Sequence, residues 1–187
     1  MWFLARRLFD AARADRPAID LFYGARSSDE LHYVDEFRAI GVKVHIATDD
    51  GSRGYKGMVT GLLRDKLGVK TRPPRHKKKE PAATQLGMFD PAPVPPPAPA
   101  ATVEKAPPPV FCACGPMPML RAVHDVAAAL GAICEVSLES RMACGIGVCL
   151  GCAHETAEGG LMHVCKDGPV VDSRVVFGSG VQGGTGG

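Results

Sequence analysis

The stretch 141–169, RMACGIGVCLGCAHETAEGGLMHVCKDGP, carries Cys144, Cys149 and Cys152 in the spacing C-x4-C-x2-C, with Cys165 after twelve more residues. This is the plant-type [2Fe–2S] spacing, in which four thiolates hold two bridged irons. Thiolate is the soft anionic ligand that a protein can offer such a cluster. Three cysteines in one short loop close around one side, and the fourth arrives from a more distant segment. Gly145, Gly147 and Gly151 lie in the same loop. Glycine lets backbone approach a ligand closely, so that N–H groups can donate to the sulfurs. A cluster of this kind passes electrons singly, and the spacing therefore points to electron transfer.

Other sites use the same residue types. A four-cysteine zinc site is usually written as two separated C-x2-C knuckles, and this sequence has one. A thioredoxin-like pair at Cys149 and Cys152 leaves Cys144 and Cys165 unexplained. A Rieske centre needs two histidines in place of two cysteines, and His154 and His163 do not stand at those positions. Zinc remains the main alternative to iron.

From this segment outward, the composition is that of a globular protein. The 187 residues suit one domain with a small appendage, and the formal net charge of +2 gives no reason to invoke nucleic acid. Seven cysteines, an odd number, do not form a disulfide framework. Persistent thiols suggest a reducing compartment, and the expected location is the cytoplasm. The opening MWFLARRLFDAARADR is interrupted by Arg6 and Arg7, unlike a signal peptide, and no segment reaches membrane-spanning length.

Prolines divide the chain, since twelve of sixteen fall between Pro73 and Pro109. Residues 71–108 combine a basic patch (Arg72, Arg75, His76, Lys77, Lys78, Lys79) with PAPVPPPAPA, and read as a disordered or polyproline-like insertion. Around it, strands alternate with helices. Ala18–Tyr23 and Val42–Ala47 read as strands, as do Val110–Cys114 and Ala132–Leu138. Ser27 and Glu30 suggest a capping box opening a helix that runs to Ile40, with Leu31, Val34, Phe37 and Ala39 or Ile40 inward. Helices are also expected over Tyr55–Leu67, with Met58, Leu62, Leu63 and Leu67 inward, and over Pro118–Leu130, with Met119, Leu120, Val123 and Leu130 inward. The alternation predicts an α/β fold with a parallel sheet. The expected division is a nucleotide-binding α/β domain over 1–70 and 109–138, a cluster-binding subdomain over 139–177, and a flexible tail over 178–187.

Ligands of open α/β sheets sit beyond the carboxyl ends of the strands. Those ends read Gly24-Ala25-Arg26, Thr48-Asp49-Asp50-Gly51-Ser52 and Cys114-Gly115-Pro116. Each is an ordinary turn composition by itself. Together, beside a redox cluster, they suggest a nicotinamide dinucleotide site.

Five segments carry a family resemblance: YGAR (Tyr23–Arg26), ATDDGSRGYKG (Ala47–Gly57), ACGPMPML (Ala113–Leu120), SLESRMACGIGVCLGC (Ser137–Cys152) and VCKDGPVV (Val164–Val171). With these the chain resembles the electron-transfer subunits of the two-subunit dihydroorotate dehydrogenases, within the ferredoxin–NAD(P) reductase superfamily. The resemblance implies an oxidoreductase component of pyrimidine biosynthesis. NADH would reduce FAD, and electrons would pass singly through the [2Fe–2S] cluster to an FMN-containing catalytic subunit, in a heterotetramer. It implies that Cys144, Cys149, Cys152 and Cys165 ligate the cluster. Ala25, Arg26, Thr48 and Asp49 would line the dinucleotide path, while Cys114, Gly115 and Pro116 would lie by the nicotinamide and flavin. The alternative is a cluster-bearing reductase arm or docking module of another cytosolic oxidoreductase, or an inactive fragment.

The family pattern also includes an N-terminal flavin-binding barrel and a first strand with a glycine-rich phosphate turn. Nothing in the sequence matches either. The reading therefore expects a truncated domain that opens at the following helix, with Trp2, Phe3, Leu4, Leu8 and Phe9 against the sheet. Cys134 is expected to pack as a small hydrophobe. Cys112 and Cys114 should share one sheet face, with Cys114 the site candidate at the strand end. His32, His45 and His124 are expected on the surface or with satisfied partners.

Overall fold

The computed structural model describes residues 4–7, 18–69 and 109–178. The expectations for the proline-rich insertion and most of the tail fall outside those residues.

Two parallel pairs form the scaffold. β1 (Asp20–Ala25) pairs in parallel with β2 (Lys43–Thr48), from Asp20↔Lys43 to Ala25↔Thr48. A two-residue strand, β3 (Tyr55–Lys56), continues this sheet on the far side of β2. In the second sheet β4 (Val110–Cys114) pairs in parallel with β5 (Ile133–Ser137). The sequence predicts the four strands, with bounds shifted by up to two residues, but in one parallel sheet; among the described residues they form two sheets.

Three helices cover these strands. α1 (Val34–Ala39) buries Val34 and Phe37, and α2 (Val59–Leu67) buries Thr60, Leu62 and Leu63. α3 (Met117–Ala129) opens with proline at its first turn, where a missing N–H costs nothing. Leu120, Val123, Val126 and Ala127 recur at helical spacing along α3 and face β5. Leu120, Val126 and Val136 of β5 are fully buried. α1 packs on β2, whereas α2 packs on β1, β2 and α3. The β1–β2 pair therefore lies between two helical layers.

Several expectations are corrected here. The helix expected after Ser27 is broken: Ser28–Glu30 form one 3-10 turn, and α1 starts only after Tyr33, at φ 60°. Glu30 spends its carboxylate on the N–H of Arg26 (3.0 Å), so no capping box closes on Ser27. Met58, Leu67 and Leu130, expected inward, are exposed because they flank the helix ends or fall off the packed face. Of the two residues expected inward at the end of α1, Ile40 packs on the core and Ala39 is exposed. In the helical stretch 4–7, Leu4 is exposed, and Ala5 packs with Phe37 and Val42 instead. Trp2, Phe3, Leu8 and Phe9 lie outside the described residues.

The backbones of β1 and α2 approach closely at Gly24, where an added Cβ would stand 2.8 Å from Cβ of Val59. Two branched carbons cannot share that distance, so Gly24→Ala pushes α2 off the sheet. It should cost about 1–3 kcal/mol, as overpacking does. A thermal melt unchanged from the parent would show that α2 moves without penalty.

The rest of the chain folds back onto β5. β6 (Ala153–Glu155) and β7 (Leu161–His163) form an antiparallel hairpin. One helical turn, α4 (Val164–Asp167), follows, then β8 (Val170–Asp172), antiparallel to β5 from Glu135↔Asp172 to Ser137↔Val170. α5 (Ser173–Phe177) is capped by Asp172, whose carboxylate accepts the N–H of Arg174 at 2.9 Å. Cys152, Met162, Val164, Val176 and Phe177 join α3 and β5 in one buried cluster. The cysteine-rich segment thus shares its core with the second sheet.

Candidate iron–sulfur site

β5 delivers the chain into the cysteine loop. Leu138 is buried, and its N–H donates to the carbonyl of Pro169 (2.7 Å), which ties the loop's entrance to the segment that follows Cys165. At its exit the carbonyl of Cys152 accepts the N–H of Val164 (3.2 Å). These two bonds bring distant cysteines together. Asp167 accepts the N–H of His163 (2.6 Å) and fixes the turn of α4 that carries Cys165.

The four thiols meet as two pairs. Cys149 neighbours Cys144, and Cys152 neighbours Cys165, closely enough for each to shift its neighbour's titration. Cys144 titrates low, at about 6, chiefly because the N–H of Ile146 points at its sulfur, followed by the N–H and thiol of Cys149 and the N–H of Val148. Cys165 is pushed up, first by its bond to Cys152 and then by desolvation. Among the described residues no three ligating groups surround one point that could hold a single metal ion. All seven cysteines are described and none forms a disulfide.

The loop is strained and apolar. Leu150, between Cys149 and Cys152, adopts φ 58°, a left-handed conformation that costs an L residue about 1 kcal/mol or more. Gly145 and Gly147 take left-handed values without that penalty. Ile146 and Val148 are each 71% exposed, and Met142 and Leu150 are also exposed. Such a patch marks an interaction surface more often than a free one. Sequence reasoning missed it, though three apolar side chains between the ligand positions, with Met142 just before them, were a readable signal.

The expected nucleotide residues form two groups, one on each sheet, with no described contact between the groups. At the ends of β1 and β2, Asp49 N–H donates to the Ala25 carbonyl (3.1 Å) and Asp50 N–H to the Arg26 carbonyl (3.2 Å). The Arg26 and Asp49 side chains are exposed. Thr48 differs: it is fully buried, and its hydroxyl donates to the Arg53 carbonyl (2.9 Å) while accepting the Arg53 N–H (3.0 Å). It shapes the loop and does not line its surface. Ser52 holds the Asp50 carboxyl below its ordinary range through side-chain and backbone bonds.

At the end of β4, Gly115, Pro116, Met117 and Glu139 line an open cleft of ≈ 250 Å³. Cys114 is exposed beside it, with Sγ 3.7 Å from Oε1 of Glu139. Glu139 was not foreseen, since nothing marks the second residue after β5 as special. Cys112 and Cys134 sit back from the site, their thiols pushed up by burial, and Cys134 is buried as expected. His32 is exposed, and His45 meets Asp20 at 2.6 Å, both within expectation. His124 is not on the surface: it is 2% exposed, with Nδ1 2.8 Å from the Ser173 hydroxyl and Nε2 buried without a partner. No helix among the described residues is long and apolar enough to cross a membrane.

Comparison with known proteins places this segment and the α/β scaffold beside electron-transfer proteins. Residues 139–177 match the family described as the iron–sulfur cluster binding domain of dihydroorotate dehydrogenase B. The electron transfer subunit of dihydroorotate dehydrogenase B (NAD(+)) from Caldanaerobacter subterraneus is 31% identical over 144 residues, covering 75% of this chain and 42% of that protein. The subunit of the same name from Fusobacterium nucleatum is 34% identical over 151 residues, covering 80% and 44%. A homolog from Aquifex aeolicus is 30% identical over 174 residues, covering 93% and 51%. The solved structure of an NADH-dependent reduced ferredoxin–NADP oxidoreductase, studied for flavin-based electron bifurcation, superposes with a TM-score of 0.57 at 27% identity, over 92% of this chain and 48% of that one. The chain spans about half the length of the curated relatives it matches. Over most of its length it is similar to the dihydroorotate dehydrogenase B electron transfer subunits, with a ferredoxin-reductase-type α/β fold and, at residues 139–177, an iron–sulfur cluster binding domain of that family.

Proposed function

We propose that Cys144, Cys149, Cys152 and Cys165 hold a [2Fe–2S] cluster, and that the chain relays electrons between a nicotinamide–flavin module and a catalytic partner. The observation that carries this reading is that the fold brings Cys165, from the turn of α4, beside Cys152 of the C-x4-C-x2-C loop, in which Cys149 neighbours Cys144. Each iron of such a cluster takes two thiolates, and a thiol already ionised near neutrality is a ready ligand. The inward N–H groups of Ile146 and Val148 are the donors that would stabilise sulfur charge. When bound, the cluster supplies one-electron transfer.

The chain's own residues would do the rest. Met142, Ile146, Val148 and Leu150 would be covered by the electron acceptor, excluding water from the short path that electrons cross. The relatives' names support a catalytic dihydroorotate dehydrogenase subunit as that acceptor; an FMN in it, within a heterotetramer, would complete the relay. NADH would lie along Ala25, Arg26 and Asp49 toward Cys114, Gly115 and Pro116, with Thr48 holding the loop in place. FAD would be held chiefly by the half of the relatives that this chain does not match. Free thiols throughout fit a reducing compartment such as the cytoplasm.

Anaerobic purification tests this reading. The expected protein is brown, with two irons and two acid-labile sulfides per chain and a rhombic EPR signal on reduction. A stoichiometric zinc content without visible absorbance would overturn it. Co-expression with the catalytic subunit addresses the partner: a complex that oxidises dihydroorotate supports the assignment, and electron delivery only to some other oxidoreductase favours the docking-arm reading.

A further inference from the structure

Lys166 lies against the cysteine loop. A Cβ added at Gly147 would stand 3.4 Å from Cδ of Lys166 and 3.7 Å from its Cβ, an ordinary van der Waals contact. The aliphatic stem of Lys166 therefore rests on Gly147, between Cys144 and Cys149, while the residue stays exposed and its ammonium remains in water. Gly147 offers that seat because it has no side chain, and its φ of 82° is one that glycine adopts freely. The same glycine meets the fourth thiol: hydrogen bonding from its backbone favours the thiolate of Cys165, which α4 carries directly before Lys166. The charge at this point is not offset. Residues 140–154 contain no Asp or Glu, and Arg141 is their one Lys or Arg. Among the described residues neither Arg141 nor Lys166 has an ion-pair partner. Asp167, next to Lys166, turns its carboxylate onto the N–H of His163 at 2.6 Å.

We propose that Lys166 is a positioning residue of the electron relay: it holds its ammonium beside the group bound by Cys144, Cys149, Cys152 and Cys165, and so raises that group's reduction potential. This role rests on the [2Fe–2S] reading above. Two ferric ions, two sulfides and four thiolates have a formal charge of about −2, and about −3 after one electron is taken up. A fixed cation nearby favours the more negative state by Coulomb attraction. Lys166 thus biases the site toward accepting a single electron from a reduced flavin, and it does so through its charge, while its stem keeps that charge in place over Gly147. An exposed charge at the reach of one side chain is largely solvated, so the bias is modest and depends on salt.

The test is a redox titration of the anaerobically purified full chain, followed by EPR, in a charge series at position 166. Iron and acid-labile sulfide per chain are measured first in every protein. Lys166→Met keeps the stem and removes the charge, Lys166→Arg keeps the charge, and Lys166→Glu reverses it. At one fixed solution potential in low salt, the reduced-to-oxidised ratio should fall about threefold in Lys166→Met and about tenfold in Lys166→Glu, and stay at the parent value in Lys166→Arg. A tenfold change is ~59 mV for a one-electron couple. In about 1 M salt, where the screening length is about 3 Å, the differences should shrink. Lys43→Met removes an exposed cation from β2 in the first sheet and should leave the ratio unchanged. Where Lys166→Glu fails to load iron, Lys166→Gln takes its place and should match Lys166→Met. Equal ratios across the series overturn the proposal. So does a fall in Lys43→Met as large as that in Lys166→Met, which would make it an effect of net charge. A fall in Lys166→Arg equal to that in Lys166→Met also overturns it, because the packing of the stem would then be responsible. A parent chain without two irons and two sulfides overturns the [2Fe–2S] reading itself, and the role of Lys166 falls with it.

Discussion

Cys149→Ser is expected to yield a folded protein with at least tenfold less iron than the parent and no rhombic EPR signal. Cys149 is exposed and contributes nothing to the buried cluster, so its removal leaves the packing of 139–177 intact. It is, however, a neighbour of Cys144, and its N–H and side chain both help to lower the titration of that thiol. Serine offers a harder oxygen that is protonated at neutral pH, and an iron held by one thiolate in place of two binds weakly. Far-UV circular dichroism should match the parent. Cys152→Ser makes the contrast: Cys152 is 2% exposed within the core, so that variant should lose both iron and thermal stability. Undiminished iron in Cys149→Ser would remove this residue from the ligand set, and with it the pairing on which the two-iron reading rests.

The cysteines were legible because a cluster dictates its ligands' type and spacing within a short segment. β4 was legible to the residue, since VFCAC is a short apolar run bounded by proline and glycine. Failures arose wherever a long-range contact outweighed a local signal. Ser27 and Glu30 have the letters of a capping box, but the Ser28 N–H donates to the Ser52 hydroxyl (2.8 Å) and Glu30 accepts from Arg26. The Tyr23 hydroxyl then accepts the N–H of His32 (3.3 Å), and the chain opens where a helix was expected to continue. Tyr55 and Lys56 looked like the start of a helix, yet pairing with Ala47 and Thr48 draws them into β3. β8 returns antiparallel to a parallel pair, a register set between Ser137 and Val170 that no local pattern encodes. The exposed side chains of the cysteine loop are a different case. Their composition was visible, but only the fold shows that Ile146 and Val148 have no interior to enter.

His124→Ala should lower the unfolding free energy by about 2–4 kcal/mol, because it empties a buried site and strands a buried hydroxyl. His124 lies on α3 and its partner Ser173 begins α5, so their 2.8 Å bond joins the nucleotide-type sheet layer to the cysteine-rich segment. Its ring also packs on Phe177 at 5.4 Å, and the guanidinium of Arg121 caps the other ring at 4.8 Å. Burial holds the His124 imidazole below its ordinary titration range; Asp125 and Asp172 oppose that shift, while Arg121 and Arg174 reinforce it. The sign follows from proton counting. Below about pH 6.5 the unfolded chain binds a proton at this histidine that the folded chain refuses, so stability falls as pH drops toward the folded-state value. Above that pH both states are neutral and the linkage vanishes. Urea midpoints at pH 7.5 and 5.5 should therefore show a smaller gap between parent and His124→Ala at the lower pH, since the variant has lost the group that acid attacks. An equal gap at both values would mean that His124 accepts its proton in the folded state, with Nε2 finding a partner. A gap wider at pH 5.5 would instead mean that the contact between α3 and α5 is a charged one, strengthened by acid and held by Asp125 and Asp172.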